Sequence, residues 1–254
     1  MPGHRFFSSS ENFTSSNAVI SGDEAHHLRK VLRLNIGDKV SIFNGLGDEW
    51  LAVIDEFIGQ NVKLSLEEKF VDNVESVLEI TLTQGLIKGD KFDWVIQKAV
   101  ELGVSKIQPL ITEHTDIQPT KGEKRLERWQ RIALEATKQS KRRKLTEILS
   151  PIKWSDLVKN LSTPTIVFAE INAKPLNQII NHIKLENDSI NSINSINSIN
   201  LIVGSEGGWT TKELKEAGLA NFYLASLGKR ILRAETAGIT AVALIQYLFG
   251  DLTN

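Results

Sequence analysis

Residues 201–209 read Leu-Ile-Val-Gly-Ser-Glu-Gly-Gly-Trp, an apolar run that stops at Gly204 and passes into a carboxylate set among three glycines. A short apolar run closed by glycine reads as a buried strand. Thr210 or Thr211 then caps a helix through "TKELKEAG". Strand, bare loop and helix in that order belong to a parallel α/β sheet, where ligands sit beyond the carboxyl ends of the strands. Glycine lets backbone groups approach a ligand closely and permits positive φ. Glycine-rich loops that open helices often hold phosphate, but Glu206 would repel it. A ligand with hydroxyls, amines or a cationic centre suits Gly204, Ser205, Glu206, Gly207 and Gly208 better. The competing reading is a tight turn whose glutamate caps a neighbouring element.

A second loop of the same kind follows. "LGKRILRAETAG" (227–238) leaves a strand at Leu227-Gly228 and gathers Arg230, Arg233 and Glu235 at the start of the last helix. That helix, from about Ala234 to Phe249, is apolar nearly all round, as a helix buried on most sides must be. Two such loops at successive strand ends point to one ligand site, although a core helix preceded by a basic surface loop would read the same way locally.

Working outward, strand and helix signals alternate from residue 76. "VLEITLTQGL" (77–86), "KIQPLIT" (106–112), "TIVFAE" (165–170), "LIVG" (201–204) and "NFYLASLG" (221–228) are strands; 90–103 and 123–140 are amphipathic helices. The alternation predicts a mostly parallel sheet covered on both faces. Residues 1–72 read differently. "KVSIFNG" (39–45), "EWLAVIDEF" (49–57) and "NVKLSLEEK" (61–69) are short strands at hairpin spacing. One helix interrupts them, with Ser21 and Glu24 spaced as a capping box. A small β-barrel spanning 1–72 and an α/β domain spanning 76–254 are expected, divided near "VDNVES" (71–76). "SINSINSINSIN" (189–200) is a repeated three-residue unit, read as a low-complexity spacer whose isoleucines can extend the next strand.

Composition narrows the function. The chain has 254 residues, 41% of them hydrophobic, and a formal net charge of −1. Any nucleic acid must therefore be held by local basic patches. There is no cysteine, which rules out disulfides and thiolate chemistry and suits a cytoplasmic location. The five histidines lend little support to a metal site. No apolar run is long enough to span a bilayer, so no membrane partner is expected. "KQSKRRK" (138–144) is read as a phosphate-contacting run through Lys141, Arg142 and Arg143, against the alternative of a solvated helix end. Arg29, Lys30, Arg33 and Lys88 are further candidates for RNA contact.

"HRFF" (4–7), "HHLRKVLRLNIGD" (26–38), "KGDKFDWVIQKAVELGV" (88–104), "EATKQSKRRKLTEI" (135–148), "VGSEGGW" (203–209) and "LGKRILRAETA" (227–237) together resemble the RsmE family of SPOUT methyltransferases. The resemblance implies an N-terminal PUA-like barrel and a trefoil-knotted α/β domain. It implies S-adenosylmethionine as cofactor, N3 of a uridine in 16S ribosomal RNA of the small subunit as target, and a homodimer. Three loops would hold the cofactor: Phe168, Ala169 and Glu170; Gly204 to Gly208; and Leu227, Gly228, Ile231 and Leu232. Arg233 would stabilise charge on the uracil oxygens, and Glu235 would orient Arg233, take the N3 proton or only cap the last helix. The chain departs from the family pattern at Ser205 and Thr146, where prolines are usual, and at Trp209, where phenylalanine is. Those departures leave open a SPOUT enzyme for another RNA, or a non-catalytic RNA-binding protein of the same fold.

Overall fold

A computed structural model describes residues 3–72, 74–116, 122–161, 164–170, 173–188 and 196–253. The chain forms two compact units, Met1–Glu75 with Thr137–Leu145, and Ser76–Ala136 with Thr146–Asn254.

The first unit is a half-barrel. Its strands are β1 (Arg5–Phe7), β2 (Asn17–Ile20), β3 (Lys39–Phe43), β4 (Glu49–Ile58) and β5 (Asn61–Lys69). They lie in the order β1-β3-β4-β5-β2, antiparallel except for the β1–β3 pair. Period-2 alternation turns Ile42, Ile54, Val62 and Leu64 inward, onto Ala25 and Leu28 of the helical stretch made by α1 (Gly22–His26) and a wider turn, His27–Val31. The expected capping box is not made. Ser21 sits at the N-cap without a side-chain hydrogen bond. Glu24 instead accepts from the Phe7 N–H at 3.0 Å and pairs with Lys138 at 2.6 Å. A lysine and a strand-edge amide outcompete the local partner.

The structure corrects the reading of the basic run. Arg142 and Arg143 are buried. Arg142 donates to Glu75 Oε2 at 2.9 and 3.0 Å, while the amides of Arg143 and Lys144 donate to Glu75 Oε1 at 2.7 and 2.9 Å. Arg143 reaches Glu49 at 3.0 Å and Asp72 at 2.7 Å. That hydrogen bond holds the Asp72 carboxyl below the usual carboxylate range. Arg5 grips the other side of Glu49 at 2.8 Å and donates to the carbonyls of Thr137, Lys138 and Arg142. These two guanidinium groups are consumed within the unit and do not face phosphate. Lys141 alone of the three expected contacts is exposed, at φ +61°.

Removing one partner of a buried, hydrogen-bonded ion pair strands the other. Arg143→Ala is therefore expected to destabilise this unit by about 3 kcal/mol, read as a lowered melting transition. RNA affinity measured below that transition should keep its salt dependence.

The second unit carries a parallel sheet. In chain order its elements are β6 (Glu79–Gly85), α2 (Lys91–Glu101), β7 (Lys106–Ile111), α3 (Gly122–Gln139, whose last residues belong to the first unit), β8 (Glu147–Ile148), β9 (Ile152–Lys153) and α4 (Trp154–Leu157). Then come β10 (Thr165–Phe168), β11 (Lys174–Pro175), α5 (Leu176–Asp188), β12 (Ser198–Val203), α6 (Thr211–Leu219), β13 (Tyr223–Ser226) and α7 (Ala234–Phe249). The order is β11-β13-β10-β12-β6-β7-β8, with β9 also on β7, and every pairing is parallel. Apolar clusters cover both faces. On β12, Ile199, Leu201 and Val203 join one cluster and Ile202 the other. Burial on both sides is why this strand reads as an unbroken apolar run.

Of the repeat, residues 189–195 lie outside the described residues. Its last unit, Ser198–Asn200, is the first half of β12, with Ile199 buried. The small residues of α7 serve close packing on the sheet: a Cβ at Gly238 would stand 2.3 Å from Gln84 Oε1. Thr146 takes the place of proline by donating its hydroxyl to the Val104 carbonyl at 2.8 Å.

Candidate active site

β13, β10 and β12 are neighbours and run parallel, so their carboxyl ends share one edge of the sheet. The segments that leave them enclose a cavity of about 550 Å³. Phe168, Ala169 and Glu170 form one wall, Gly204, Ser205, Glu206, Gly207 and Gly208 a second, and Leu227, Gly228, Ile231 and Leu232 a third. Arg233 and Glu235 reach the same cavity. The structure thus brings together all the residues expected to hold a cofactor and both expected catalytic groups.

Local physics shapes each wall. Gly85, at the end of β6, lies under the second loop: a Cβ there would stand 2.3 Å from the Ser205 nitrogen. Gly208 has φ +71° and Gly228 φ +105°, the left-handed region that glycine enters without steric cost. Ser205 is buried, its hydroxyl 3.0 Å from Thr112 Oγ1 and donating to the His114 carbonyl at 3.3 Å. Two side-chain bonds thus restrain a turn where the family pattern has proline. Trp209 donates its indole N–H to the Phe168 carbonyl at 2.8 Å, tying the first wall to the second. Its ring lies over Gly204, where a Cβ would be 3.1 Å away, and packs on Trp154 at 5.0 Å. A phenylalanine has no donor for that bond. Thr210, not Thr211, caps α6, through a full capping box with Glu213.

The charged groups are arranged unevenly. Arg233 caps α7 with its backbone, while its exposed side chain makes no hydrogen bond or ion pair among the described residues. Glu235 is buried, and its Oε2 has no hydrogen-bond partner among the described residues. Its other oxygen lies 3.9 Å from Lys91, not on Arg233. Lys91 also pairs with Glu206, and that hydrogen bond lowers the Glu206 pKa. Sequence reading passed over Lys91. A signal was available: a cation at the first residue of a helix opposes the helix dipole, so a lysine there calls for a carboxylate partner.

The expected RNA-contact residues outside the cavity divide. Lys30 and Arg33 are exposed. Arg29 is partly committed, donating to the Gly59 carbonyl at 2.5 Å and stacking 5.0 Å from the Phe57 ring centre. Lys88 pairs with Asp116 at 2.7 Å and lines an adjoining hollow of about 240 Å³ that shares Ser205, Glu206 and Gly207 with the cavity. Among the described residues no group of three or more His, Cys, Asp or Glu side chains is placed to hold a metal ion.

A parallel sheet with a bare-backbone cavity at three adjoining strand ends, in a chain with a half-barrel unit, is the arrangement expected of an RNA methyltransferase of the SPOUT class, and the chain's similarity to known proteins shows that class. Residues 74–246 match the family described as RNA methyltransferase domain, and residues 20–64 the RNA methyltransferase PUA domain. The chain belongs to the ribosomal RNA small subunit methyltransferase E family. It is 33% identical to that enzyme of Rickettsia conorii, over 98% of this chain and 97% of the relative, and 33% identical to that of Synechocystis, over 96% and 78%. Among solved structures, it is similar to the Neisseria gonorrhoeae ribosomal RNA small subunit methyltransferase E bound to S-adenosyl methionine. There the TM-score is 0.83 at 31% identity, covering 98% of this chain and 99% of that one. A Legionella pneumophila putative methyltransferase in complex with the same cofactor is equally close in fold, TM-score 0.83 at 29% identity.

Proposed function

We propose that this chain transfers a methyl group from S-adenosylmethionine to N3 of a uridine in 16S ribosomal RNA of the small subunit. The observation that carries the reading is the convergence of three loops, from three adjoining strands, on one cavity. Its volume lies within the range of small-molecule sites. Its walls supply what the cofactor needs: backbone amides and carbonyls for an adenine edge and ribose, and Leu227, Ile231 and Leu232 as an apolar bed. The carboxylates of Glu206 and Glu235 tolerate a sulfonium where a phosphate would be repelled.

When bound, the cofactor supplies a methyl carbon made electrophilic by positive sulfur. The protein's task is to hold the uracil in line with it and to manage one proton. Arg233, without a carboxylate partner among the described residues, stabilises the negative charge that builds on the uracil oxygens as N3 loses its proton. Glu235 offers Oε2, a buried acceptor without a hydrogen-bond partner among the described residues, to that proton. Glu235 stands beside Lys91 and not on Arg233, which argues against its orienting Arg233. A base inside a helical stack does not expose N3, so the target nucleotide is unpaired or flipped. The deciding experiment is labelled methyl transfer to small ribosomal subunits followed by nucleoside analysis. Label in 3-methyluridine of 16S RNA is the expected result. Label in another RNA would move the chain to a different substrate, and no binding of S-adenosylmethionine would leave a non-catalytic RNA-binding protein.

Lys30, Arg33 and Lys141 hold RNA by its phosphates, with Arg29 and Lys88 contributing less because their charges are already engaged. Replacing Lys30, Arg33 and Lys141 together by serine is expected to reduce the slope of log affinity against log salt by about 2 to 3. A binding isotherm series over salt concentration measures it.

The chain pairs as a homodimer. Trp94 on α2 and Leu244 and Tyr247 on α7 are 46%, 37% and 59% exposed, and α2 packs on α7. Such apolar side chains are suited to covering by a second copy. Sedimentation velocity is expected to give twice the chain mass, falling toward one chain in a Trp94→Glu, Tyr247→Glu variant. Among the described residues no helix is long and apolar enough to cross a membrane; a ribosomal substrate places the enzyme in the cytoplasm.

A further inference from the structure

Methyl transfer changes the charge of the bound cofactor. The donor carries a sulfonium cation, and the product left behind is a neutral thioether. A site that held both equally would be inhibited by its own product, and one that preferred the donor without limit would retain it. The cavity contains a group of charges placed to act on this difference. Lys91 extends from the first residue of α2 and pairs with Glu206 of the second wall, while standing 3.9 Å from Glu235 at the start of α7. All three line the cavity. One ammonium therefore serves two carboxylates that belong to different loops.

We infer that Lys91 sets how strongly this cavity prefers the positively charged donor over its neutral product, by offsetting the field of the Glu206 and Glu235 carboxylates. The inference rests on S-adenosylmethionine being the cofactor. Glu170, Arg230 and Arg233 also line the cavity and, like Glu206, are exposed, so solvent screens part of their field; Glu206 differs from them in being paired with Lys91. Glu235 is buried, with one oxygen lacking a hydrogen-bond partner among the described residues, so solvent screens its charge least. Lys91 faces an unfavourable helix dipole at its position, and the two carboxylates account for its place there. It needs no contact with the reacting atoms: it is a positioning and charge-setting residue.

The test is the ratio of dissociation constants, product over donor, measured by calorimetry with S-adenosylhomocysteine and S-adenosylmethionine. Lys91→Met makes the cavity more negative by one charge and should raise that ratio about fivefold at low salt. Glu206→Gln makes it more positive and should lower the ratio by a similar factor. Lys91→Arg should return the ratio to that of the unaltered protein. Both shifts should shrink at high salt, which a change of cavity shape would not do. Equal ratios in Lys91→Met and the unaltered protein would overturn the inference. So would shifts of the same sign in Lys91→Met and Glu206→Gln. Should Lys91→Met fail to fold, Glu206→Gln alone decides the matter by the sign of its shift. Failure of the unaltered protein to bind either ligand would instead defeat the assignment of the cofactor, and this inference with it.

Discussion

Replacing Arg233 by alanine is expected to lower methyl transfer by about 10² to 10³ while leaving the affinity for S-adenosylmethionine within about threefold. The expectation comes from the division of labour among the cavity's charges. Lys91 is engaged by Glu206 and lies beside Glu235. The Arg233 side chain has no carboxylate partner among the described residues, and its backbone position is set at the head of α7. A guanidinium that lines the cavity without a carboxylate partner among the described residues is suited to act on charge that exists only in the transition state, so its loss should fall on turnover and not on binding. Glu235→Gln should behave in the same direction, because an amide cannot take the N3 proton. Single-turnover rates on small ribosomal subunits, set beside calorimetric cofactor binding, read both effects. Equal losses of rate and of cofactor affinity in Arg233→Ala would make it a cofactor ligand.

Gly85→Ala is expected to do the opposite: to cost cofactor binding first. The added Cβ would stand 2.3 Å from the Ser205 nitrogen and 2.4 Å from the Gly204 carbonyl carbon. Both are backbone atoms, so no flexible side chain can yield. The Ser205 hydroxyl is held by Thr112 and His114, and Trp209 locks the other end of the loop to Phe168. The loop must move as a unit or the strand must shift. Overpacking of this kind costs about 1–3 kcal/mol, and displacement of the cavity's second wall should weaken the cofactor by about tenfold or more. Gly218→Ala on α6 is the control. Nothing lies within 4 Å of a Cβ there, and alanine in a helix is more favourable than glycine. Thermal melts and cofactor titration of the two variants should therefore diverge; a Gly85→Ala protein that binds normally would show the loop to be adaptable.

Much of this site was legible before any fold was known, for a definite reason. A loop that must admit a ligand to its backbone is written in glycine, and its strand, buried on both faces, is written in unbroken apolar residues. Both signals are local. Gly204 to Gly208 and Leu227 to Leu232 could thus be picked out singly, and the six stretches shared with the family set them in order. What was misread also has one cause. Arg142 and Arg143 resemble a phosphate-binding run because a charge run carries no mark of its partners. Their carboxylates, Glu49, Asp72 and Glu75, stand 67 to 94 residues away in sequence. Ser21 and Glu24 had the spacing of a capping box, yet Lys138 drew the glutamate away across 114 residues.

The amino-acid order alone determined the alternation of strands and helices, the bare loops at strand ends, and the small residues of the last helix, since each depends on near neighbours in the chain. Only the tertiary structure decided which charges meet. It gave Glu206 and Glu235 a common lysine, left Arg233 without a carboxylate among the described residues and buried two arginines that composition would have put in water. Ion pairs act through space and are indifferent to distance along the chain, so their partners become known only when the chain has folded.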